Sequence, residues 1–177
     1  MRAEIRHEVE LIQPLDDLER QSKLDVLAWI DSGAELCRLE KPATPPKHLI
    51  SYFAVVDNDH ILLVDHINAE LWLPTGGHVE AGEHPRNTAL REAKEELSIE
   101  GEFLKAGPMF VSITETVGKT AGHTDVSLWY VLRGRRTEHL DFDHSEFREI
   151  RWFHRKDVPL DRTDKHMSRF LRKLYEA

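Results

Sequence analysis

The sequence predicts a mixed α/β (α+β) domain, built from layers of helix and sheet, with a helical extension at its N-terminus. The first forty residues carry apolar side chains at helical spacing, and the middle of the chain carries short β-branched and aromatic runs. Helical patterns return between those runs and at the C-terminus. Because the runs are short and often joined as hairpins, they do not indicate a doubly wound parallel sheet.

The N-terminal extension, with its Pro-rich linker KPATPPKH, is predicted over residues 1–45, and the main domain over residues 46–177. The stretch LDDLERQSKLDVLAWIDSG predicts an amphipathic helix that ends at Gly33. A second short helical stretch can follow that glycine. The apolar side chains assigned to the inner face of the first helix are Leu15, Leu18, Leu24, Leu27 and Ile30.

The main domain opens with a predicted β-hairpin, in which LISYFAVVD and ILLVDHI are strands and NDH is the turn. LWLPTGG predicts a short strand that ends at Pro74 and the Gly76-Gly77 pair. Further strands are predicted in GEFLKAGPMFVSITETV, TDVSLWYVLRG and EIRWFHRKDV, with the Gly-rich loop GKTAGH after the first. A terminal helix packed on the sheet is predicted from one apolar stripe, formed by Met167, Phe170, Leu171 and Leu174.

A helix with clustered acidic residues is predicted from Pro85, which suits a first helical turn, to about Leu97. Glu92, Glu95 and Glu96 fall on roughly a 100° arc, beside the apolar stripe of this helix. Each like-charged pair costs about 0.2–0.5 kcal/mol, and the C-terminal end of a helix disfavours anions. One interpretation is a solvated acidic face. The other is a hard divalent cation held by the carboxylates.

Composition limits the classes of partner. The chain has 177 residues and a net charge of -8, with 24 Lys and Arg against 32 Asp and Glu. This balance disfavours a nucleic-acid polymer, but it allows a small phosphorylated substrate whose charge a metal ion neutralises. A single cysteine, Cys37, a charged N-terminus and short apolar runs lead us to expect a cytoplasmic protein without a membrane partner.

Residues 77–99 resemble the Nudix box, G-x5-E-x7-R-E-U-x-E-E-x-G-U, in which U is apolar. Every fixed position is matched except one, where the family has glycine and this chain has Ser98. Serine can still adopt the left-handed conformation that ends the helix, at a cost of about 1–2 kcal/mol. Flanking LPTGG and EIRWF also resemble the family, which extends the resemblance over about residues 49–160. It implies a Nudix-type α/β/α sandwich with a mixed β-sheet.

The resemblance also implies roles for single residues. Arg91 would pair with Glu83 and orient the loop against the helix, a supporting role. A catalytic Mg²⁺ or Mn²⁺ ion would be held by oxygen ligands, namely the carbonyl of Gly76 and the carboxylates of Glu92, Glu95 and Glu96.

Family members differ in which glutamate is the general base, so two candidates stay open. One is Glu92. The other is a distal acidic residue in DFDHSEFREIRWF, first Glu146, which could also bind the metal, and then Glu149 or Asp143. An ordinary exposed acidic loop is an equally good interpretation of that segment.

The implied reaction is attack of a metal-activated water on one phosphorus of a diphosphate linkage. The proline of some ADP-ribose hydrolases and the tyrosine of some dinucleoside polyphosphate hydrolases are replaced by Glu115 and by Thr116-Val117. A nucleoside triphosphate, as in MutT-type pyrophosphohydrolases, is therefore the first expectation, and ADP-ribose or a nucleotide sugar is the alternative. A non-catalytic nucleotide sensor is a third interpretation, which the complete set of glutamates disfavours.

Other features leave alternatives open. The N-terminal extension could cover the pocket, complete the core or form a homodimer contact. Trp72, Trp129 and Tyr130 could stack on a base or belong to the core. His123 and Asp125 could face the pocket or cap a loop. The eleven histidines show neither HExxH nor His/Cys pairing, so the sequence does not predict a zinc site.

Overall fold

The computed structural model describes residues 1–41, 44–116 and 122–176. Residues 118–121 of the predicted Gly-rich loop, and Val117 just before it, lie outside these ranges. The helices of the described residues are α1 (Arg2–Leu11), α2 (Asp17–Asp31), α3 (Pro85–Leu97) and α4 (Met167–Glu176). The strands are β1 (Lys47–Asp57), β2 (His60–His66), β3 (Trp72–Leu73), β4 (Thr75–His78), β5 (Glu102–Phe103), β6 (Phe110–Glu115), β7 (Thr124–Arg133) and β8 (Phe147–His154).

The strands form one mixed sheet. Strand β1 pairs in parallel with β7, and it is antiparallel to β2 and β4. Strand β7 also pairs antiparallel with β5 and β6, and β2 pairs antiparallel with β3 and β8. The predicted hairpin is confirmed, since Asp57 faces His60 across a turn in which Asn58 has a φ of 53°. The mixed sheet is confirmed as well.

Helices cover both faces of the sheet. Alternate side chains of β1 point to opposite faces. Leu49 and Phe53 pack in the same apolar cluster as Ala89 of α3. Ala54 belongs to a second cluster, together with Phe170 of α4. The predicted α/β/α sandwich, with its terminal helix packed on the sheet, is therefore confirmed.

The inner face of α2 differs from the one predicted. Leu18 and Leu24 are 55% and 54% exposed, whereas Glu19 is fully buried. Glu19 lies 2.5 Å from the ammonium group of Lys173 on α4. Because of this buried ion pair, the inner face of the helix includes Glu19 and leaves Leu18 and Leu24 in solvent. The spacing of apolar residues alone could not predict a charged partner.

The segment after α2 also differs from the expectation. Gly33 adopts a φ of 80° just beyond the helix, as its predicted role requires. No helix follows over residues 34–41, which run to the sheet instead. There the carbonyl of Leu36 accepts a hydrogen bond from the Leu49 amide at 2.7 Å.

The two N-terminal helices contribute to the main core. Ile5 and Val9 of α1 and Val26 and Ile30 of α2 pack in the cluster that contains Leu49. Of the three interpretations of the extension, completion of the core is therefore the one that these contacts favour. The division at residues 45/46 stays a prediction about chain organisation.

Candidate active site

The acidic helix α3 is held at both ends by local hydrogen bonds. The ring nitrogen Nδ1 of His84 accepts a hydrogen bond from the Arg86 amide at 3.2 Å, so this histidine caps the helix although it is an unusual cap. At the other end, Ser98 has a φ of 54° and a ψ of 30° and its amide bonds back to the last turn. The left-handed exit is thus kept without the glycine of the family motif.

The glycine pair of β4 lets α3 approach the sheet closely. A Cβ atom added to Gly77 would lie only 2.0 Å from Oε1 of Glu92. The backbone of Gly76 lies close enough to the carboxyl group of Glu96 to lower its pKa, against the larger effect of burial. The carboxyl groups of Glu92 and Glu96 are consequently placed against the backbone of the pair.

Arg91 connects the loop before α3 to the helix. Its Nε and Nη2 atoms lie 3.0 and 3.1 Å from the two carboxylate oxygens of Glu83. Thr88 donates a further hydrogen bond to Glu83 at 2.9 Å. Burial alone would raise the pKa of Glu83, but these hydrogen bonds lower it overall. Glu83 is therefore an anion that fixes the position of Arg91.

Arg91 also neutralises part of the acidic cluster. Its Nη1 atom lies 2.8 Å from Glu92 and 3.2 Å from Glu95. The Glu95 side chain is 60% exposed. One guanidinium and water therefore reduce repulsion at two of the three acids, in addition to any cation.

Glu96 is the acid whose charge is least compensated. It is 7% exposed, and its Oε2 atom has no hydrogen-bond partner. Burial, together with the charges of Glu92 and Glu146, raises its pKa to about 9. Burial also raises the pKa of Glu92, against the opposing effect of Arg91. Because both carboxyl groups are costly to ionise on their own, they are suited to bind a hard divalent cation, which would replace their protons.

The loop before β8 lies against the C-terminal end of α3. The Asp143 amide donates a hydrogen bond to the Glu96 carbonyl at 3.0 Å. Glu146, in the same loop, has an exposed side chain, and its charge acts on the pKa of both Glu92 and Glu96. The structure thus brings Glu146 together with the acidic helix.

The two other distal acids have partners of their own. The carboxylate of Asp143 accepts hydrogen bonds from the Ser145 amide and hydroxyl at 2.7 and 2.6 Å, and these bonds lower its pKa. Glu149 is half exposed and pairs with Arg151 at 2.7 Å. These contacts make both of them weaker candidates for a general base than Glu146.

The aromatic candidates lie in the core. Trp129 and Tyr130 are fully buried and Trp72 is 5% exposed. The indole N–H of Trp129 donates to the Ser112 hydroxyl at 2.9 Å. Their burial favours the core interpretation over stacking on a base.

A second polar cluster, of which the sequence analysis named only His123 and Asp125, lies where β1 and β7 begin and β4 ends. Its members are His48, His78, His123 and Asp125. Burial lowers the pKa of His48, and burial together with Arg38 lowers the pKa of His78 to about 3. The residues of the cluster come from three different strands, so no spacing along the sequence predicts it. The only local signal is HTD at the start of β7.

Residues 47–174 match the sequence profile of the family described as NUDIX domain. Among curated protein sequences, none matches the chain. In the described part of the chain, no helix is both long and apolar enough to cross a membrane.

Solved structures show the same fold at low sequence identity. A NUDIX-family hydrolase from Clostridium perfringens is 21% identical with a TM-score of 0.56, covering 72% of this chain and 95% of its own. The dihydroneopterin triphosphate pyrophosphohydrolase of E. coli is 14% identical with a TM-score of 0.57, covering 80% and 98%. An Ap4A hydrolase from C. elegans is 23% identical with a TM-score of 0.50, covering 72% and 92%.

The profile match covers most of the chain, and the sandwich and the position of the acidic helix agree with it. The chain belongs to the NUDIX family and is a hydrolase. Hydrolases of this family act, in general, on nucleoside diphosphate derivatives.

Proposed function

We propose that the chain is a Mg²⁺- or Mn²⁺-dependent pyrophosphohydrolase that cleaves a diphosphate linkage in a nucleoside triphosphate or a related nucleoside-diphosphate derivative. The observation that carries the proposal is the buried carboxyl group of Glu96, which has an unpartnered oxygen and lies beside Glu92 against the glycine pair. A hard divalent cation accepts such oxygens as ligands and compensates their charge.

The proposed ligands of the ion are the carboxylates of Glu92, Glu95, Glu96 and Glu146 and the carbonyl of Gly76. Glu95 now faces Arg91, so its side chain would have to turn to reach the ion. When bound, the ion supplies Lewis-acid activation of water and neutralises charge on the phosphoryl oxygens.

The chain's own residues position and deprotonate the reacting groups. Arg91, which is bonded to Glu83, fixes the position of the loop relative to α3. The carboxyl groups of the helix are thereby oriented towards the substrate. Either Glu92 or Glu146 accepts the proton of the attacking water. Glu92 is the more buried, which raises its pKa towards the range of an efficient general base.

The test is a panel of diphosphate compounds assayed with Mg²⁺ and with Mn²⁺. It contains nucleoside triphosphates, oxidised nucleotides, ADP-ribose, nucleotide sugars, a pterin triphosphate and a dinucleoside tetraphosphate. We expect hydrolysis to be highest with a nucleoside triphosphate and to require the metal. Glu96→Gln should lower kcat by at least ~10²-fold, and Glu95→Gln by less, because its side chain is exposed.

The two candidate bases are separated by their pH profiles. Loss of the acidic limb of kcat in Glu92→Gln but not in Glu146→Gln would assign the base to Glu92, and the reverse would assign it to Glu146. Preference for ADP-ribose or a nucleotide sugar would replace the substrate class but keep the site. Metal-dependent nucleotide binding without turnover of any compound would contradict the proposal and favour a sensor.

A further inference from the structure

A cluster of three histidines and one aspartate lies away from the acidic helix. We propose that His48, His78, His123 and Asp125 form a second metal site, for a borderline transition ion such as Zn²⁺. One candidate ligand atom from each residue lies within 4.8 Å of the other three. Strand alternation puts His48 on the face of β1 that carries Ala54, which is opposite the face covered by α3. Its ligand set differs from that proposed for the hydrolytic ion, but the two sites are neighbours, since His78 follows Gly77 and its carbonyl lies 3.5 Å from Nη2 of Arg91.

The tautomer of His48 leaves a lone pair pointing into the cluster. Its Nδ1 lies 2.8 Å from the carbonyl oxygen of Pro45, and a carbonyl can only accept, so Nδ1 carries the ring proton. The Nε2 atom then has a lone pair, and it lies 3.5 Å from Oδ1 of Asp125. Both of these atoms are buried and lack a hydrogen-bond partner. Two acceptors that face each other in a buried position need either a proton or a metal cation between them, and the Co²⁺ titration below distinguishes the two.

Two of the distances between candidate ligand atoms already fit tetrahedral coordination. At the usual Zn–N and Zn–O distances, neighbouring ligand atoms of a tetrahedron are about 3.4 Å apart. Oδ1 of Asp125 lies 3.5 Å from Nε2 of His48 and 3.2 Å from Nε2 of His123. The remaining separations are at most 4.8 Å, so they must contract by up to about 1.4 Å to reach that value. Three nitrogens and one carboxylate oxygen suit Zn²⁺, Co²⁺ or Ni²⁺ better than Mg²⁺.

Two of the histidines are oriented by oxygen partners at Nδ1, on the side of the ring opposite the proposed metal. The Pro45 carbonyl holds His48, and the Thr116 hydroxyl lies 3.2 Å from Nδ1 of His123. Oxygen partners of this kind fix the ring direction of metal-binding histidines.

One neighbouring positive charge opposes metal binding. The Nη1 atom of Arg38 lies 3.0 Å from Nε2 of His78. Coordination through that nitrogen requires the guanidinium to turn away, and its charge weakens the attraction for a cation at any distance. Removal of the Arg38 charge should therefore strengthen binding, whereas a purely structural cluster would give no such response.

The test uses the full-length protein, freed of metal with a chelator and titrated with Co²⁺. We expect one equivalent to bind with the strong visible absorption of tetrahedral Co²⁺, and Zn²⁺ but not millimolar Mg²⁺ to displace it. Asp125→Asn and His123→Gln should each weaken this binding at least about tenfold, and Arg38→Gln should tighten it several-fold. Asp125→Asn preserves the shape of the side chain, and thermal melting checks that each variant is folded.

Two controls separate this site from the acidic helix. His154→Gln changes a histidine that contacts His60 edge-to-face, elsewhere in the sheet, and should leave Co²⁺ binding unchanged. Glu96→Gln should also leave it unchanged while hydrolysis is lost. Absence of tetrahedral Co²⁺ absorption would overturn the second site. Equal affinity in the wild type, Asp125→Asn and His123→Gln would overturn it as well, and neither result would bear on hydrolysis.

Discussion

Replacement of Glu96 by glutamine is expected to stabilise the metal-free protein at neutral pH. The carboxyl group is ordinary in the unfolded chain, with a pKa of 4.5, and is raised to about 9 in the fold, chiefly by burial. Between these two values the unfolded chain is ionised and the folded chain is protonated. Folding therefore takes up a proton, and the free energy of unfolding falls as the pH rises from 4.5 to 9.

The slope gives the size of the effect. One bound proton corresponds to about 1.4 kcal/mol per pH unit, so the wild type should lose about 2.7 kcal/mol between pH 5 and pH 7 through this group. Glutamine cannot ionise, and its amide fills the same space. At pH 7 Glu96→Gln should therefore be more stable than the metal-free wild type by about 3 kcal/mol.

Urea denaturation of both proteins in the presence of a chelator, at pH 5, 6, 7 and 8, measures this difference. Glu95→Gln is the matched control, because Glu95 lies on the same helix with an exposed side chain, and it should change stability by less than about 0.5 kcal/mol. Addition of Mg²⁺ should stabilise the wild type and not Glu96→Gln. Parallel pH profiles for the wild type and Glu96→Gln would refute the assignment of a buried, protonated carboxyl group.

Three further substitutions test how the site and the fold are built. Gly77→Ala puts a methyl group where Oε1 of Glu92 lies, so steady-state assays should show a loss of at least ~10-fold in kcat/KM while circular dichroism is unchanged. Ser98→Gly should raise the free energy of unfolding by about 1 kcal/mol, since the φ of 54° costs serine more than glycine; no gain in urea denaturation would contradict this. Lys173→Met leaves Glu19 buried without its partner and should cost about 3–5 kcal/mol, which a second change, Glu19→Leu, should largely restore.

The extent of agreement between sequence and structure depends on the kind of contact. The predicted range of helix α3, from Pro85 to about Leu97, agrees with the observed one. Both signals, the proline and the 3.6-residue repeat, come from neighbouring residues in the sequence. The inner face of α2 was predicted correctly at Leu27 and Ile30 but wrongly at Leu18 and Leu24. The burial of Glu19 depends on Lys173, which is 154 residues away. The spacing of apolar side chains predicts the buried face of a helix only when that face packs against other apolar residues.

The candidate site shows the same division. The glutamates of α3 and the glycine pair could be named from one continuous stretch, since the helix repeat and the turn are local, whereas Glu146 lies in a distant loop. The sequence could not reveal that Arg91 contacts three of the glutamates at once, or that Glu96 is buried with an oxygen left unpartnered. Those properties depend on how closely α3 packs on β4.

By itself the sequence determined the layered α/β (α+β) class, the acidic helix and the identity of the groups that can bind a cation, because these follow from local spacing and side-chain chemistry. The α/β/α sandwich was implied by the resemblance to the family. Only the tertiary structure decided which carboxyl group is buried away from solvent, and this burial sets its pKa. Only the tertiary structure also brought together His48, His78 and Asp125 from three strands. Burial and contact between distant segments are set by the pairing of β1 with β4 and β7, which no single stretch of the chain encodes.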